Sequence, residues 1–177
     1  MGGPFLPLPR SPLPQTPTES QFRAFLASFP RKHSETVWLI SGKSGTNGMA
    51  KNRISLDTNA VIFLTARGSM IPSGLENELN EADLFISAIT EIELFSKPGL
   101  PPIEEESLRF FLSERIGIID LIDDVKKETI ALRRKTRLKL PDCIIAATSI
   151  VLDAVLLTSD DALLALSWSG FKAQNFR

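Results

Sequence analysis

Four acidic residues stand where a shared ligand site could form: Asp57, Glu93, Asp142 and Asp160. Asp57 and Asp160 each follow a predicted strand, Glu93 opens the helix after another, and Asp142 opens the helix that leads into the last of these strands. In a parallel sheet such helix starts lie along one edge, where sites are built in open α/β sheets. Carboxylates crowded there would repel one another, and some of their pKa values would rise without compensation.

A divalent cation would remove this repulsion. The candidate ligands are all oxygen atoms, which suit Mg²⁺ or Mn²⁺ better than Zn²⁺. The only histidine, His33, lies in the amino-terminal segment, so we do not expect a histidine-based acid/base mechanism.

Each acid, taken singly, also has a purely structural explanation. Asp57 and Asp160 could be N-caps of the helices that follow them. Thr90 to Glu93 has the pattern of a capping box, with Thr90 at the cap. Asp142 lies in a first helical turn, where the helix dipole favours any acid. Together, however, the four acids favour a metal pocket.

The elements that must position these acids alternate along the chain. Strands are predicted over 53–57, 84–89, 116–121 and 154–158, with a short one near Phe171. Helices are predicted over 59–67, 74–83, from 90 to the Pro98 region, 103–115, 123–137, 141–153 and 160–167. Continuously apolar strands alternating with helices indicate an α/β fold whose parallel sheet is covered on both faces.

The 177 residues suffice for one domain with a substantial core. No apolar run approaches the roughly 20 residues of a membrane span. The single cysteine, Cys143, excludes an internal disulfide and suggests a reducing compartment. We interpret Cys143 as a small buried apolar residue rather than a nucleophile.

The first 48 residues differ from the rest. Six prolines occur in residues 1–20, and this density disfavours both helix and sheet. We expect 1–48 to be a disordered Pro/Gly-rich tail, or a stretch ahead of the true start, and the domain to cover 49–177. A weak helix over 19–29 and a strand over 37–40 are possible within it. Gly42-Lys-Ser44 lacks the earlier glycine and the following helix of a phosphate-binding loop, so we interpret it as linker.

Charge is distributed unevenly. Residues 49–177 hold fifteen Lys/Arg and nineteen Asp/Glu, a net charge of −4, whereas a general nucleic-acid binder is normally basic. A local exception is 133–139, with five cations in seven residues just ahead of Asp142. This run could contact nucleic-acid phosphates or be a solvated helix end, and the two roles are compatible.

Four segments resemble the acidic motifs of PIN-domain ribonucleases, most closely the VapC-type toxins of bacterial toxin–antitoxin pairs. They are Leu56-Asp-Thr-Asn59, Ser87-Ala-Ile-Thr-Glu-Ile-Glu-Leu94, Leu140-Pro-Asp-Cys-Ile-Ile-Ala-Ala147 and Leu156-Leu-Thr-Ser-Asp160. The motifs are in order and at family-like spacing over roughly residues 52–177. The resemblance implies a three-layer α/β/α PIN-like fold with a central, mostly parallel sheet, and Mg²⁺-dependent cleavage of RNA, with Mn²⁺ as an alternative ion.

The resemblance also assigns roles to residues. The catalytic acids would be Asp57, Glu93, Asp142 and Asp160. The metal ligands would be Asp57 and Asp142 first, then Asp160, and the supporting hydrogen bonds would come from Asn59 and Thr158. Glu93 fits the motif better than Glu91, because Leu94 follows it. Leu163 stands where the family often has an aromatic residue, which we expect to affect packing only.

As partners, the resemblance implies an RNA substrate, a cognate antitoxin and a second copy of the chain in a homodimer. From the lone cysteine and the short apolar runs, we expect a cytoplasmic protein with no membrane association.

Two alternative functions remain open at this stage. One is Mg²⁺-dependent phosphotransfer, as in receiver or haloacid-dehalogenase-like domains. The latter need a second aspartate where Asn59 stands. Receivers need a lysine at the end of a late strand, and no lysine follows the strand residues Leu156 to Thr158 here. The other is a non-catalytic PIN-like module that binds RNA or protein, although such a module has no need of four mutually repelling acids.

Overall fold

A computed structural model of the chain describes residues 20, 52–67, 71 and 73–176. The predicted tail, the domain start near Met49, the strand at 37–40 and the Gly42-Lys-Ser44 segment lie outside these residues, as does the helix at 19–29 apart from Ser20. The strands are β1 Arg53–Leu56, β2 Asp83–Ser87, β3 Ile116–Ile119, β4 Val155–Thr158 and β5 Lys172–Asn175. The helices are α1 Thr58–Arg67, α2 Ser73–Glu81, α3 Ala88–Phe95, α4 Pro102–Arg115, α5 Asp123–Lys135, α6 Leu140–Val151 and α7 Asp161–Leu164.

The five strands form one parallel sheet in the order β3-β2-β1-β4-β5. β1 is central, and its Ser55 lies opposite Phe85 of β2 and Leu156 of β4. The prediction of a mostly parallel central sheet is therefore confirmed. It is possible because continuously apolar strands can be buried on both faces.

Helices cover both faces of the sheet and give the three layers. Alternate residues of a strand point to opposite faces, and here they enter two separate cores. Ile54, Leu84 and Leu157 pack in a core with residues of α1, α2 and α4. Phe85 and Leu156 pack in a second core with residues of α5 and α6. The three-layer α/β/α arrangement is thus confirmed.

Two predicted helices end earlier than expected. The helix predicted to reach 137 ends at Lys135, because Thr136 adopts an extended conformation with φ −123° and ψ 170°. The helix predicted to reach 167 covers only Asp161–Leu164. Leu166 then donates to the carbonyl of Leu163 in a tighter turn, at 3.1 Å.

The strand predicted over 84–89 is present but ends at Ser87, two residues early, and the predicted capping box at Thr90 is wrong. β2 remains paired with β3 up to Ser87, and α3 begins immediately afterwards with Ser87 as its N-cap. The Ser87 hydroxyl accepts from the Thr90 backbone N–H at 3.2 Å. Thr90 is therefore inside the helix, and Glu93 lies in its second turn rather than at its start.

None of the described helices is long and apolar enough to cross a membrane. Leu163 is 1% exposed and belongs to the second core, so the aliphatic side chain at this position is accommodated by close packing.

Candidate active site

The candidate site lies where the order of the sheet reverses. From β1 the chain moves outward to β2 and β3, and then returns to the other side of β1 with β4 and β5. In open α/β sheets such a reversal leaves a crevice at the carboxyl ends of the two central strands. Asp57 directly follows β1, Thr158 ends β4 and Asp160 follows two residues later, so the crevice is lined by predicted site residues.

Asp57 is held firmly in this crevice. The residue is 5% exposed. Its Oδ1 accepts from the Thr58 backbone N–H at 2.6 Å, and its Oδ2 accepts from the Thr158 hydroxyl at 2.8 Å. Because both oxygens have a partner from the protein itself, the carboxylate has a fixed orientation.

The pKa of Asp57 is raised above its ordinary value, and the largest cause is burial. The hydrogen bonds from Thr158 and Thr58 lower it, while the negative charges of Glu93 and Asp160 raise it further. No lysine or arginine of the described residues forms an ion pair with these three acids. The site is therefore a cluster of like charges that a cation would stabilise.

Glu93 reaches the cluster through Thr58. The Thr58 hydroxyl donates to Oε2 of Glu93, while the Thr58 backbone N–H donates to Asp57. One threonine thus connects an acid after β1 with an acid on α3. Because Ser87 caps α3, Glu93 is not needed as a capping residue and its carboxylate turns to Thr58 instead.

Asp160 has two roles in the structure. Its Oδ1 accepts from the backbone N–H groups of Ala162 at 2.7 Å and Leu163 at 3.1 Å, as an N-cap does. Its own N–H donates to the Thr158 hydroxyl at 3.0 Å. That bond leaves the Thr158 proton directed at Asp57, so Asp160 both caps α7 and orients the donor to Asp57.

Asp142 stands apart from the other three acids. Its Oδ2 accepts from the Lys139 backbone N–H at 3.3 Å, and its charge is not among the causes of the raised pKa of Asp57. It shares with Asp160 a cavity of about 390 Å³, whose lining also includes Arg137 and Lys139. Asp142 therefore joins the site through the cavity rather than through Asp57.

A sequence model of the PIN domain matches residues 54–168. The chain belongs to the PIN-domain family. The matched range, 54–168, contains all four acids. A search of curated protein sequences found no match.

Solved structures share the fold of this PIN domain. A chain of VapBC2 from Rickettsia felis, bound to a promoter DNA fragment, is 23% identical with a TM-score of 0.57 over 71% of this chain and 99% of that chain. A chain of DNA-bound VapBC from Salmonella typhimurium is 22% identical with a TM-score of 0.55, over 71% and 99%. A chain of VapBC-5 from Mycobacterium tuberculosis, a member of the VapBC family of toxin–antitoxin systems, is 17% identical with a TM-score of 0.51, over 70% and 98%.

The donor set of this PIN domain fits a hard divalent cation. Within 52–67 and 73–176, no three acidic, histidine or cysteine side chains converge into a ligand set. Mg²⁺ needs no such set, because it usually keeps several waters and is bound by one or two carboxylates together with substrate phosphates. The uncompensated charge around buried Asp57 therefore suits Mg²⁺ better than a metal that requires a closed protein cage.

The structure also shows a contact that the sequence interpretation missed. The motif predicts a supporting role for Asn59, but it is Thr58 that contacts both Asp57 and Glu93. Asn59 is exposed at the start of α1, and no hydrogen bond of its side chain occurs within the described part of the chain. Its supporting role stays a prediction. A hydroxyl directly after the strand-end acid was the available signal for Thr58.

Cys143 is buried. Burial is the largest cause of the raised pKa of its thiol, and its Sγ lies 3.8 Å from the carbonyl oxygen of Leu138. A thiol with a raised pKa is a poor nucleophile, so Cys143 behaves as a small apolar residue of the core.

Proposed function

We propose that this PIN domain is a metal-dependent endoribonuclease that hydrolyses RNA phosphodiester bonds. The observation that carries this proposal is the buried carboxylate of Asp57. It lies at the reversal of the sheet, is oriented by two threonines and is exposed to the charges of Glu93 and Asp160. A protein that only binds a partner gains nothing from this repulsion.

One or two of the predicted ligands Asp57, Asp142 and Asp160 would hold the metal together with a substrate phosphate, and Glu93 would be the fourth acid of the pocket. Bound Mg²⁺, or Mn²⁺ in its place, lowers the pKa of water and offsets the negative charge of a phosphate. The reaction is hydrolysis, in which water adds to phosphorus and the ribose 3′ oxygen leaves.

The residues of the chain supply orientation. Thr158 and Thr58 direct both oxygens of Asp57, and their hydrogen bonds favour its ionised form against the effect of burial. Groups locked in this way need little reorganisation during the reaction, which is a large source of catalysis.

We further propose that the protein is the toxin of a toxin–antitoxin pair, acts in the cytoplasm, forms a homodimer and is inhibited by a cognate antitoxin. Support comes from structural neighbours described as toxin–antitoxin complexes or systems. Expression in a bacterial host tests this role. Growth should stop with the wild type and continue with Asp57→Asn, and equal growth of the two strains would contradict the toxin proposal.

A cleavage assay on labelled single-stranded RNA tests the nuclease. We expect cleavage with Mg²⁺ or Mn²⁺, no cleavage with EDTA, and a loss of about 100-fold or more in Asp57→Asn, as when an essential electrostatic group is removed. Asp120→Asn is a matched control, because Asp120 follows β3 at the same sheet edge but is exposed.

Equal cleavage by the wild type and Asp57→Asn would refute the nuclease. Phosphoramidate labelling of Asp57 would favour phosphotransfer, and RNA binding without cleavage would favour a binding module. The topology already disfavours a receiver-like domain. In such sheets the first strand lies between the second and the third, whereas here β1 lies between β2 and β4.

A further inference from the structure

A cavity of about 390 Å³ opens beside the acids, between the α5–α6 connection and the segment around α7. Its volume lies within the range of about 300–1,000 Å³ typical of small-molecule sites. Arg137 and Lys139 line it together with Asp142 and Asp160, and Ala165 and Leu166 add an apolar part. The cavity thus combines cations, acids and an apolar surface next to the site of reaction.

The opposite charges in this cavity are not paired with each other. Within the described part of the chain, neither Arg137 nor Lys139 forms an ion pair with an acid. At the other end of α5, by contrast, Lys126 pairs with Asp123 at 2.7 Å and Lys127 with Asp124 at 3.0 Å. The two cavity cations are exposed and remain available to an anion from outside.

We propose that this cavity is a subsite for one nucleotide of the substrate strand, in which Arg137 and Lys139 bind a backbone phosphate adjacent to the bond that is cut. The proposal rests on the proposed function, because it takes the strand that the acids cleave as its ligand. A guanidinium presents a planar fork to two phosphate oxygens, and an ammonium adds a compact charge. Ala165 and Leu166 are placed to contact the sugar or base.

The net charge of the domain favours a subsite that supplies local cations. Residues 49–177 carry a net charge of −4, so the strand is repelled overall. Five of their fifteen cations lie in 133–139, and this run leads into the cavity. The end of α5, past Arg137 and Lys139, is therefore an electrostatically favourable approach for the strand.

Binding without cleavage tests the subsite. A fluorescein-labelled single-stranded RNA is titrated with the full chain in EDTA, over a series of salt concentrations, and its anisotropy gives Kd. For Arg137→Ala/Lys139→Ala we expect binding about tenfold weaker, with the slope of log K against log salt reduced by about 0.7, the value for one lost phosphate contact on a single strand. A DNA strand of the same sequence should lose the same factor, because phosphate is the group that is bound.

The control variant is Lys126→Ala/Lys127→Ala, which removes two positive charges from the opposite end of α5, away from the cavity. It should weaken binding by less than about twofold. Equal losses in both double variants would show a net-charge effect and overturn the proposal. Undetectable binding by the wild type would also overturn it, and a loss confined to RNA would show recognition of the sugar instead of phosphate. Arg137→Gln/Lys139→Gln, compared by thermal melting, controls for folding.

The two proposals fail in different ways. If Asp57→Asn cleaves as well as the wild type while the cavity variant still loses RNA affinity, the nuclease is wrong and the phosphate subsite stands. If Asp57→Asn is inactive while the cavity variant binds RNA normally, the subsite is wrong and the nuclease stands.

Discussion

The two ends of the candidate site hold their acids in different ways. Asp57 is buried and fixed by two hydrogen bonds of 2.6 and 2.8 Å. Asp142 is half-exposed, accepts one backbone bond of 3.3 Å and shares a cavity with two cations. The first end is preorganised, whereas the second can adjust to a ligand. A site that acts on a flexible polymer benefits from both, because the reacting group needs precision and the strand needs tolerance.

The largest effect on the cleavage rate in this comparison should come from Thr158, whose hydroxyl donates to Asp57. Thr158→Val keeps the shape of the side chain but removes the hydroxyl, and we expect the cleavage rate to fall about 10- to 100-fold, as when an outer partner of a metal ligand is lost. The pKa of Asp57 should also rise, because its hydrogen bond from Thr158 lowers it. The acid limb of the pH–rate profile should therefore move to higher pH.

Thr158→Ser should restore both the rate and the profile. Thr148→Val is the control for a buried threonine, since the Thr148 hydroxyl bonds only within its helix, to the Ile144 carbonyl. If Thr158→Val keeps the wild-type cleavage rate and pH–rate profile, the hydrogen bond from Thr158 does not preorganise Asp57.

A smaller effect should follow from cutting the connection to Glu93. Thr58→Val retains the backbone N–H on Asp57 but loses the hydroxyl that donates to Glu93. We expect an approximately tenfold lower rate, within the range for a group that positions another. Glu93→Gln and the double variant complete a double-mutant cycle. Residues that interact give non-additive losses. Strictly additive losses would therefore show that Glu93 acts independently of Thr58 and Asp57.

Substitutions of Asp57 and Asp142 should also differ in their effect on the free energy of unfolding. At neutral pH, Asp57→Asn should raise the free energy of unfolding by roughly 1 kcal/mol, as when a strained site residue is relieved. Asp142→Asn should change it by less than about 0.5 kcal/mol, as is usual at a surface position. Urea unfolding of the two variants and the wild type measures both values.

The dependence of folding stability on pH should follow from the direction of the Asp57 pKa shift. A raised pKa means that the folded state binds the Asp57 proton more tightly than the unfolded state does. Its contribution to stability is therefore full below the unfolded value of about 3.9 and is lost as pH rises through the higher folded pKa. The wild type should lose stability over that interval and Asp57→Asn should not. A parallel loss in Asp57→Asn would assign the slope to another group.

A difference in stability should also separate the two roles of Asp160. Asparagine is as good an N-cap as aspartate, whereas alanine is not. Asp160→Ala should therefore be about 1 kcal/mol less stable than Asp160→Asn, although both variants lose the charge that acts on Asp57. Equal stability by thermal or urea unfolding would show that the cap bonds to Ala162 and Leu163 contribute little.

The layers of the fold were predictable because each strand has a local signature. β2, β3 and β4 contain uninterrupted apolar runs between polar residues, and β1 has Ile54 and Leu56 on either side of Ser55, which is enough to place them in a covered parallel sheet. Helix ends were less predictable. Ser87 and Thr90 are both good caps three residues apart, and the choice is made by the pairing of Ser87 with Ile119 in the neighbouring strand. A local pattern does not contain that pairing.

The candidate site shows the same division. The strand-end positions of Asp57 and Asp160 could be read from the chain, because acids after apolar strands share an edge. Which acids interact could not be read, because this depends on the order of the sheet. The order places β1 between β2 and β4, so Glu93 reaches Asp57 from the helix after β2 and Asp160 from the end of β4. Asp142 instead lines a cavity with Asp160.

The bond between Thr158 and Asp57 spans 101 residues, and this separation matters during synthesis. β1 is made before β2 and β3, and its neighbour β4 follows only after those strands and their helices. Pairing between strands so distant in the chain is slow to form, because the intervening loop must close first. A growing chain therefore carries Asp57 without the partner that orients it until β4 has been made. The candidate site can form only after the whole stretch from β1 to β4 has been synthesised.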